Sequence, residues 1–207
     1  MQIKDFAKLV EQKRKELDEM MRRRMPVIAG RLAKDHFQDN FRRSGFVNGG
    51  LHPWPKARRL TSGGTDAASQ YGTLLSGRNH LYNSIQYVPS DYRVRVYNEV
   101  AYAPIHNWGG AVSVTVTDRM KRFAWAKFYE ASGKSRKAAT GGKKSRKRAT
   151  GKLAASPQAA FWKNLALTRK KKLTVRIPQR QFMGESKELD EKISERLEKE
   201  IRNILNL

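Results

Sequence analysis

The chain has 207 residues, 39% of them hydrophobic and 30% charged, with a net charge of +24 and no cysteine. Disulfides, thiolate metal sites and cysteine nucleophiles are therefore excluded, and so many cations point to a polyanionic or acidic partner. No apolar run approaches the roughly 20 residues that span a bilayer, and the start, Met1 to Phe6, lacks a signal core. A soluble protein used in a cytoplasm, with no membrane partner, is the expectation.

In chain order, Ile3, Phe6, Leu9, Val10, Leu17, Met20 and Met21 recur at three- and four-residue steps, which predicts an amphipathic helix over 3–24. Pro26 removes a helical donor and either kinks this helix or starts a second segment. Val27, Ile28, Leu32, Phe37 and Phe41 carry the stripe on to about residue 43. A long loop rich in Gly and Pro follows, from Gly45 to Gly64, in which Trp54 is expected to anchor the loop to the domain. Leu74 to Tyr82 reads as a short helix with Leu74, Leu75, Leu81 and Tyr82 facing inward.

Ser84–Val88 and Tyr92–Asn98 read as the arms of a hairpin turning at Pro89-Ser90-Asp91, with Tyr92, Val94 and Val96 on the buried face. Val112, Val114 and Val116 alternate as a further strand. Asp118 is placed to cap a helix that ends near Ala131 and carries Phe123, Trp125, Phe128 and Tyr129. Its cations, Arg119, Lys121, Arg122 and Lys127, could serve a strand-binding face with those rings, but burial of the rings is the favoured reading. Pro157–Leu167 is a second short helix, bearing Phe161 and Trp162. Leu173, Val175 and Ile177 form a last strand ended by Pro178. Ser186 caps a terminal helix striped by Leu189, Ile193, Leu197, Ile201, Ile204 and Leu205, with Glu188–Lys192, Glu195–Lys199 and Glu198–Arg202 at ion-pair spacing. This order predicts an α+β fold: an antiparallel sheet with helices packed on one face, a long N-terminal helix and a C-terminal amphipathic helix.

The charge is uneven. Residues 131–184 hold 16 Lys and Arg and no acid. Within them lies the near-repeat KSRKAATG (134–141) and KSRKRATG (144–151), a stretch unable to bury enough surface to order itself. Lys134, Arg136, Lys137, Lys143, Lys144, Arg146, Lys147, Arg148 and Lys152 are its candidate polyanion-binding residues. It reads as a flexible basic arm that touches DNA, grips an acidic neighbour, or is simply a solvated insertion. The expected organisation is one domain, residues 1–132 and 153–207, interrupted by this insertion at 133–152.

No catalytic constellation stands out. His36, His52, His80 and His106 share no metal-ligand spacing and no acidic cluster. His106 has neither nucleophile nor carboxylate near it in sequence and is read as structural. Catalytic residues, metal ligands and cofactors are all expected to be absent, and the protein is expected to bind rather than catalyse.

Three stretches carry a family resemblance: Leu74-Leu75-Ser76-Gly77-Arg78-Asn79-His80-Leu81-Tyr82-Asn83-Ser84-Ile85, preceded by Trp54-Pro55; Asn98-Glu99-Val100-Ala101-Tyr102-Ala103-Pro104-Ile105-His106-Asn107-Trp108-Gly109-Gly110; and Ile177-Pro178-Gln179-Arg180-Gln181-Phe182-Met183-Gly184. In order and spacing they resemble the phage virion morphogenesis (tail-completion) family of tailed phages and Mu-like prophages. The resemblance covers most of 1–117 and 153–207, whereas the segment from 118 to 152 is longer and more basic than that family implies.

What the resemblance implies is a structural tail-completion or head–tail joining protein. It would act as a homo-oligomer, in a ring, beside tail-tube, neck or connector proteins, in the host bacterial cytoplasm during assembly and then at the neck or tail end of the virion. It further implies structural roles for Ser76, Gly77 and Leu81, a turn built from Tyr102, His106, Trp108, Gly109 and Gly110 with its aromatics in the core, and Pro178, Arg180, Phe182 and Gly184 locking the last strand to the terminal helix. The alternative is a basic nucleic-acid-binding protein that uses residues 131–184.

Overall fold

The computed structural model describes residues 3–61, 67–132 and 156–206. The chain divides into two compact units: unit 1 comprises Met1–Gly110 and Ile177–Leu207, and unit 2 comprises Ala111–Arg176. The basic repeat at 133–152 lies outside the described residues. The fold is α+β with antiparallel strand pairing, a long N-terminal helical segment and a C-terminal helix, and among the described residues the strands form three separate pairs.

Unit 1 begins with helix α1 (Ile3–Glu19), a π-helical turn (Met20–Arg24) and helix α2 (Met25–Arg43). The π-turn is the chain's accommodation of Pro26. In it the Met25 N–H reaches back five residues to the Met20 carbonyl. Proline has no N–H to offer the Arg22 carbonyl four residues before it. That carbonyl instead accepts the Tyr92 N–H at 3.1 Å.

Tyr92 belongs to the turn of the hairpin formed by β3 (Ile85–Ser90) and β4 (Arg93–Asn98). The predicted hairpin is present, but its turn is the pair Asp91–Tyr92, with Tyr92 at φ 60°, and Pro89 lies within the ladder opposite Val94. The turn sits on the helix through Arg22–Asp91 at 2.6 Å and through the Tyr92 hydroxyl donating to Asp18 at 2.5 Å. Helical side chains thus hold Tyr92 at the tip instead of on the buried face, while Val94 and Val96 turn inward.

The hairpin packs on α2, and the closest approach is at Gly30. A Cβ there would stand 2.3 Å from Tyr87 Cδ2 and 2.8 Å from Val94 Cγ2. Phe41 is the hub of the core: fully buried, it meets Trp54 and Tyr82 edge-on and Phe182 at a tilt, with centroids 5.2–5.8 Å away. Ala33, Phe37, Leu81, Ile85, Val100, Ala103 and Leu189 complete the cluster.

Two predicted segments take other forms. The loop after Gly45 contains a short hairpin, β1 (Gly45–Val47) with β2 (Leu51–Pro53), then two one-turn helices, α3 (Arg58–Thr61) and α4 (Ala67–Gln70). The helix expected from Leu74 is regular only as α5 (His80–Asn83), because Leu74 and Asn79 adopt positive φ and break the turns before it. Leu74, Leu75 and Tyr82 still pack against the core, as their apolar character requires. Helix α6 (Ala103–Trp108) follows β4.

In unit 2, strands β5 (Gly110–Thr115) and β6 (Lys172–Ile177) pair, and helices α7 (Asp118–Ala131) and α8 (Pro157–Ala166) pack together. Thr117, one residue before the expected Asp118, caps α7, its hydroxyl accepting from the Met120 N–H at 3.2 Å.

The terminal helix α9 (Lys187–Leu205) starts, as predicted, at Ser186, whose hydroxyl accepts from Leu189 N. The anticipated four-residue ion pairs do not close. Glu200, buried, takes Arg24 at 3.1 Å and Arg196 at 2.7 Å. Glu188 accepts the N–H groups of Gly50 at 2.8 Å and Gly49 at 3.1 Å, at the tip of the β1–β2 hairpin.

Replacing Gly30 by alanine is expected to destabilise unit 1 by about 1–3 kcal/mol through overpacking against Tyr87, read as a lower midpoint of denaturant unfolding. The backbone N–H of Gly50, then its own N–H and those of Gly49 and the Ser186 hydroxyl, hold the Glu188 carboxyl down at about 2. An unfolded glutamate titrates near ~4.3, so this stabilisation is complete above that value and is lost as pH falls towards about 2. Glu188→Gln is expected to flatten the stability–pH curve across that interval, which acid titration of the melting temperature checks.

Candidate functional site

The three motifs meet in unit 1 around a segment with no regular structure, residues 179–184. A buried backbone outside helix and strand must find its hydrogen-bond partners elsewhere, here largely in side chains. Asn107, buried on α6, supplies three of them: its Oδ1 accepts from Phe182 N at 2.9 Å and Met183 N at 3.0 Å, and its Nδ2 donates to the Met183 carbonyl at 3.1 Å. Asn40, buried on α2, donates to the Phe182 carbonyl at 3.2 Å and accepts from Val47 N at 3.2 Å. Trp54 Nε1 donates to the Gln181 carbonyl at 2.7 Å, so Trp54 is the hydrophobic anchor that the sequence suggested.

Arg180 is 8% exposed and ties the second and third motifs to the loop after β2. Its backbone N–H donates to the His106 carbonyl at 2.8 Å, and its guanidinium Nε donates to the Pro55 carbonyl at 2.8 Å. Burial, and then the neighbouring Arg59, push its pKa below the usual arginine value. Arg59 in turn donates to the carbonyls of Gly72 at 2.6 Å and Leu75 at 2.8 Å. These two arginines, Ser76, Leu81, Tyr102 and His106 line a cavity of about 210 Å³. His106 is lowered in pKa by burial and by Arg180, and among the described residues its buried Nδ1 has no hydrogen-bond partner and no carboxylate lines the cavity with it.

Of the motif residues named from sequence, Ser76, Leu81, Tyr102, His106 and Arg180 therefore come together. Ser76 also closes a turn with Asn79, accepting from Asn79 N and donating its own N–H to Asn79 Oδ1. Gly77 and Pro178 lie on the surface, while Phe182 is in the core against Phe41. Gly109 sits at φ 72°, where a Cβ would fall 2.8 Å from Gln179 N, so glycine is needed at this crossing. Gly110 and Gly184 likewise make close approaches, to Ile105 and to Gln181. Trp108 does not anchor the turn: it is 70% exposed, and Tyr102 is also exposed, because α6 turns the buried Ala103 and Asn107 inward and leaves the Trp108 ring outside.

Sequence reasoning overlooked Asn40 and Asn107. The available signal was polarity at positions beside strongly apolar ones: Asn40 between Phe37 and Phe41, Asn107 beside Trp108. Lys134, Arg136, Lys137, Lys143, Lys144, Arg146, Lys147, Arg148 and Lys152 lie outside the described residues.

Helix α1 carries a second feature. None of its residues is buried, and Ile3 (89% exposed), Phe6 (57%), Leu9 and Val10 present an apolar stripe that no described residue of unit 1 covers. Among the described residues no cluster of three or more His, Asp or Glu could hold a metal ion, and no helix is long and apolar enough to cross a membrane. In comparisons with known proteins, the chain matches no family model, no curated protein and no solved structure.

Asn107→Ala would strand two buried donors and one acceptor and is expected to cost about 2–4 kcal/mol, measurable by equilibrium unfolding. Trp108→Ala, at an exposed position, is expected to change stability by less than about 0.5 kcal/mol in the same assay.

Proposed function

We propose that the chain is a structural protein of phage or prophage virion assembly, acting in tail completion or head–tail joining as a homo-oligomeric ring. It works by binding and not by catalysis. Its partners are other virion proteins of the tail tube, neck or connector, and its places are the host bacterial cytoplasm during assembly and then the virion.

The observation that carries this reading is the exposed apolar stripe of α1. A hydrophobic face of this kind on a rigid helix stabilises association when a second surface covers it. When that second surface lies elsewhere on an identical chain, repetition of the contact closes a ring. The resemblance of the three motifs to the tail-completion family supports the same conclusion. Those motifs converge on one hydrogen-bonded knot in which Asn107, Arg180 and Trp54 hold the loops and the entry to the C-terminal helix together, which is the work of a scaffold.

Sedimentation of the full chain is expected to give a closed oligomer. Serine at Ile3, Phe6 and Val10 together is expected to weaken association at least about 100-fold, since each buried apolar side chain contributes about 1.5–3 kcal/mol. The melting temperature of the monomer should be unchanged, as none of the three lies in the core. A wild-type chain that stays monomeric at high concentration would contradict the proposal.

A further inference from the structure

Unit 2 has an unusual balance of charge and burial. Residues 111–176 hold 19 Lys and Arg against two acids, whereas the rest of the chain holds 24 against 17. The described part alone, 111–132 and 156–176, keeps ten of these cations and both acids. One ion pair, Lys127–Glu130 at 2.8 Å, forms among the described residues of the unit. The positive charge is therefore left almost uncompensated on a small folded body.

Its apolar residues are also exposed to an unusual degree. The fully buried described residues of unit 2 are Ala124, Ala159 and Ala166. The buried positions of helices α7 and α8 are thus alanines, and of their six aromatic rings four are half-buried and two are exposed. Burial of the rings of α7 was the expectation from sequence; Trp125, Phe128 and Tyr129 are half-buried, and Phe123 is the one left exposed. Phe123 is 52% and Phe161 is 50% exposed. Both touch Trp162 edge-on, with centroids at 5.8 Å and 5.1 Å, so the three rings form one continuous ridge across the two helices. Arg119 and Lys127 stand one helical turn to either side of Phe123. Arg169, Lys170 and Lys171, on the chain between α8 and β6, and Lys172, the first residue of β6, are all exposed.

We propose that unit 2 binds single-stranded nucleic acid, with Phe123 and Phe161 stacking on bases and Arg119 and Arg169–Lys172 neutralising phosphates. An acidic protein would satisfy the cations but has no use for a ridge of half-exposed rings beside them. Every base, in contrast, has a π face, and stacking on aromatic side chains next to a cationic track is how single strands are held without sequence preference. A duplex keeps its bases stacked on one another and would engage only the charges. This inference is independent of the ring-forming role of α1.

The test is a titration of the full chain against fluorescein-labelled oligothymidylate of about 16 nucleotides and against a duplex of the same length. Binding of the single strand is expected, with an affinity that falls linearly as salt rises on logarithmic axes. Phe123→Ala and Phe161→Ala are each expected to weaken single-strand binding about tenfold without changing the salt slope, and to leave duplex binding unchanged. Arg119→Gln is expected to lower the salt slope by about one charge. Circular dichroism checks folding, and if an alanine variant unfolds, Phe123→Leu and Phe161→Leu, which keep apolar volume but lose the stacking face, decide the matter. Unchanged affinity in the folded ring variants would assign binding to charge alone and overturn the proposal. Failure to bind oligothymidylate, with or without binding of polyglutamate in its place, would overturn it too.

Discussion

Residues 179–184 run through unit 1 without belonging to a helix or a strand, so apart from the Arg180 N–H, which donates to the His106 carbonyl, the Gln181 carbonyl and the amides and carbonyls of Phe182 and Met183 find their partners in side chains. Asn107 satisfies three of these groups, Asn40 and Trp54 one each. The three side chains come from α6, α2 and the loop after β2, elements far apart in sequence. Their hydrogen bonds fix where the chain enters α9, and with it the contacts of Leu189 and Glu200. Losing a single asparagine would cost more than the bond itself, because a buried peptide group would be left unpaired. Phe41, Trp54 and Phe182 pack around the same segment, so the apolar core and the polar knot support one another.

The same logic explains the helical entry. Pro26 frees the Arg22 carbonyl, the π-turn absorbs the change in geometry, and the hairpin tip supplies the missing donor through Tyr92. Arg22–Asp91 and Tyr92–Asp18 reinforce that junction at the surface. A local defect in the helix has thus become the seat of a tertiary contact. Beyond it α1 runs on with no buried residue, and it is this unburied length that makes the helix available to another molecule.

Much of this was legible in the sequence because it rests on local periodicity. The helix over 3–43, the β3–β4 hairpin, the cap at Ser186 and the burial of Trp54 all follow from residue spacing or from the amphipathic character of one side chain. Tyr92 in the turn is held by Asp18 and the Arg22 carbonyl, contacts that no window of ten residues contains. Trp108 shows the limit for single residues: an aromatic beside two glycines suggests an anchor, yet helix α6 buries Asn107 and exposes the indole. The knot was hidden for the same reason, since two asparagines reveal their importance only when the backbone they satisfy is known. In unit 2 the exposure of Phe123 and Phe161 depends on which faces of α7 and α8 meet.

The account stands or falls on whether this chain assembles through α1. Electron microscopy of the purified full-length protein tests that most directly. The account predicts closed rings in which neighbouring subunits meet over Ile3, Phe6 and Val10. Isolated particles of the 23.7 kDa monomer, or rings whose contacts leave α1 in solvent, would contradict it.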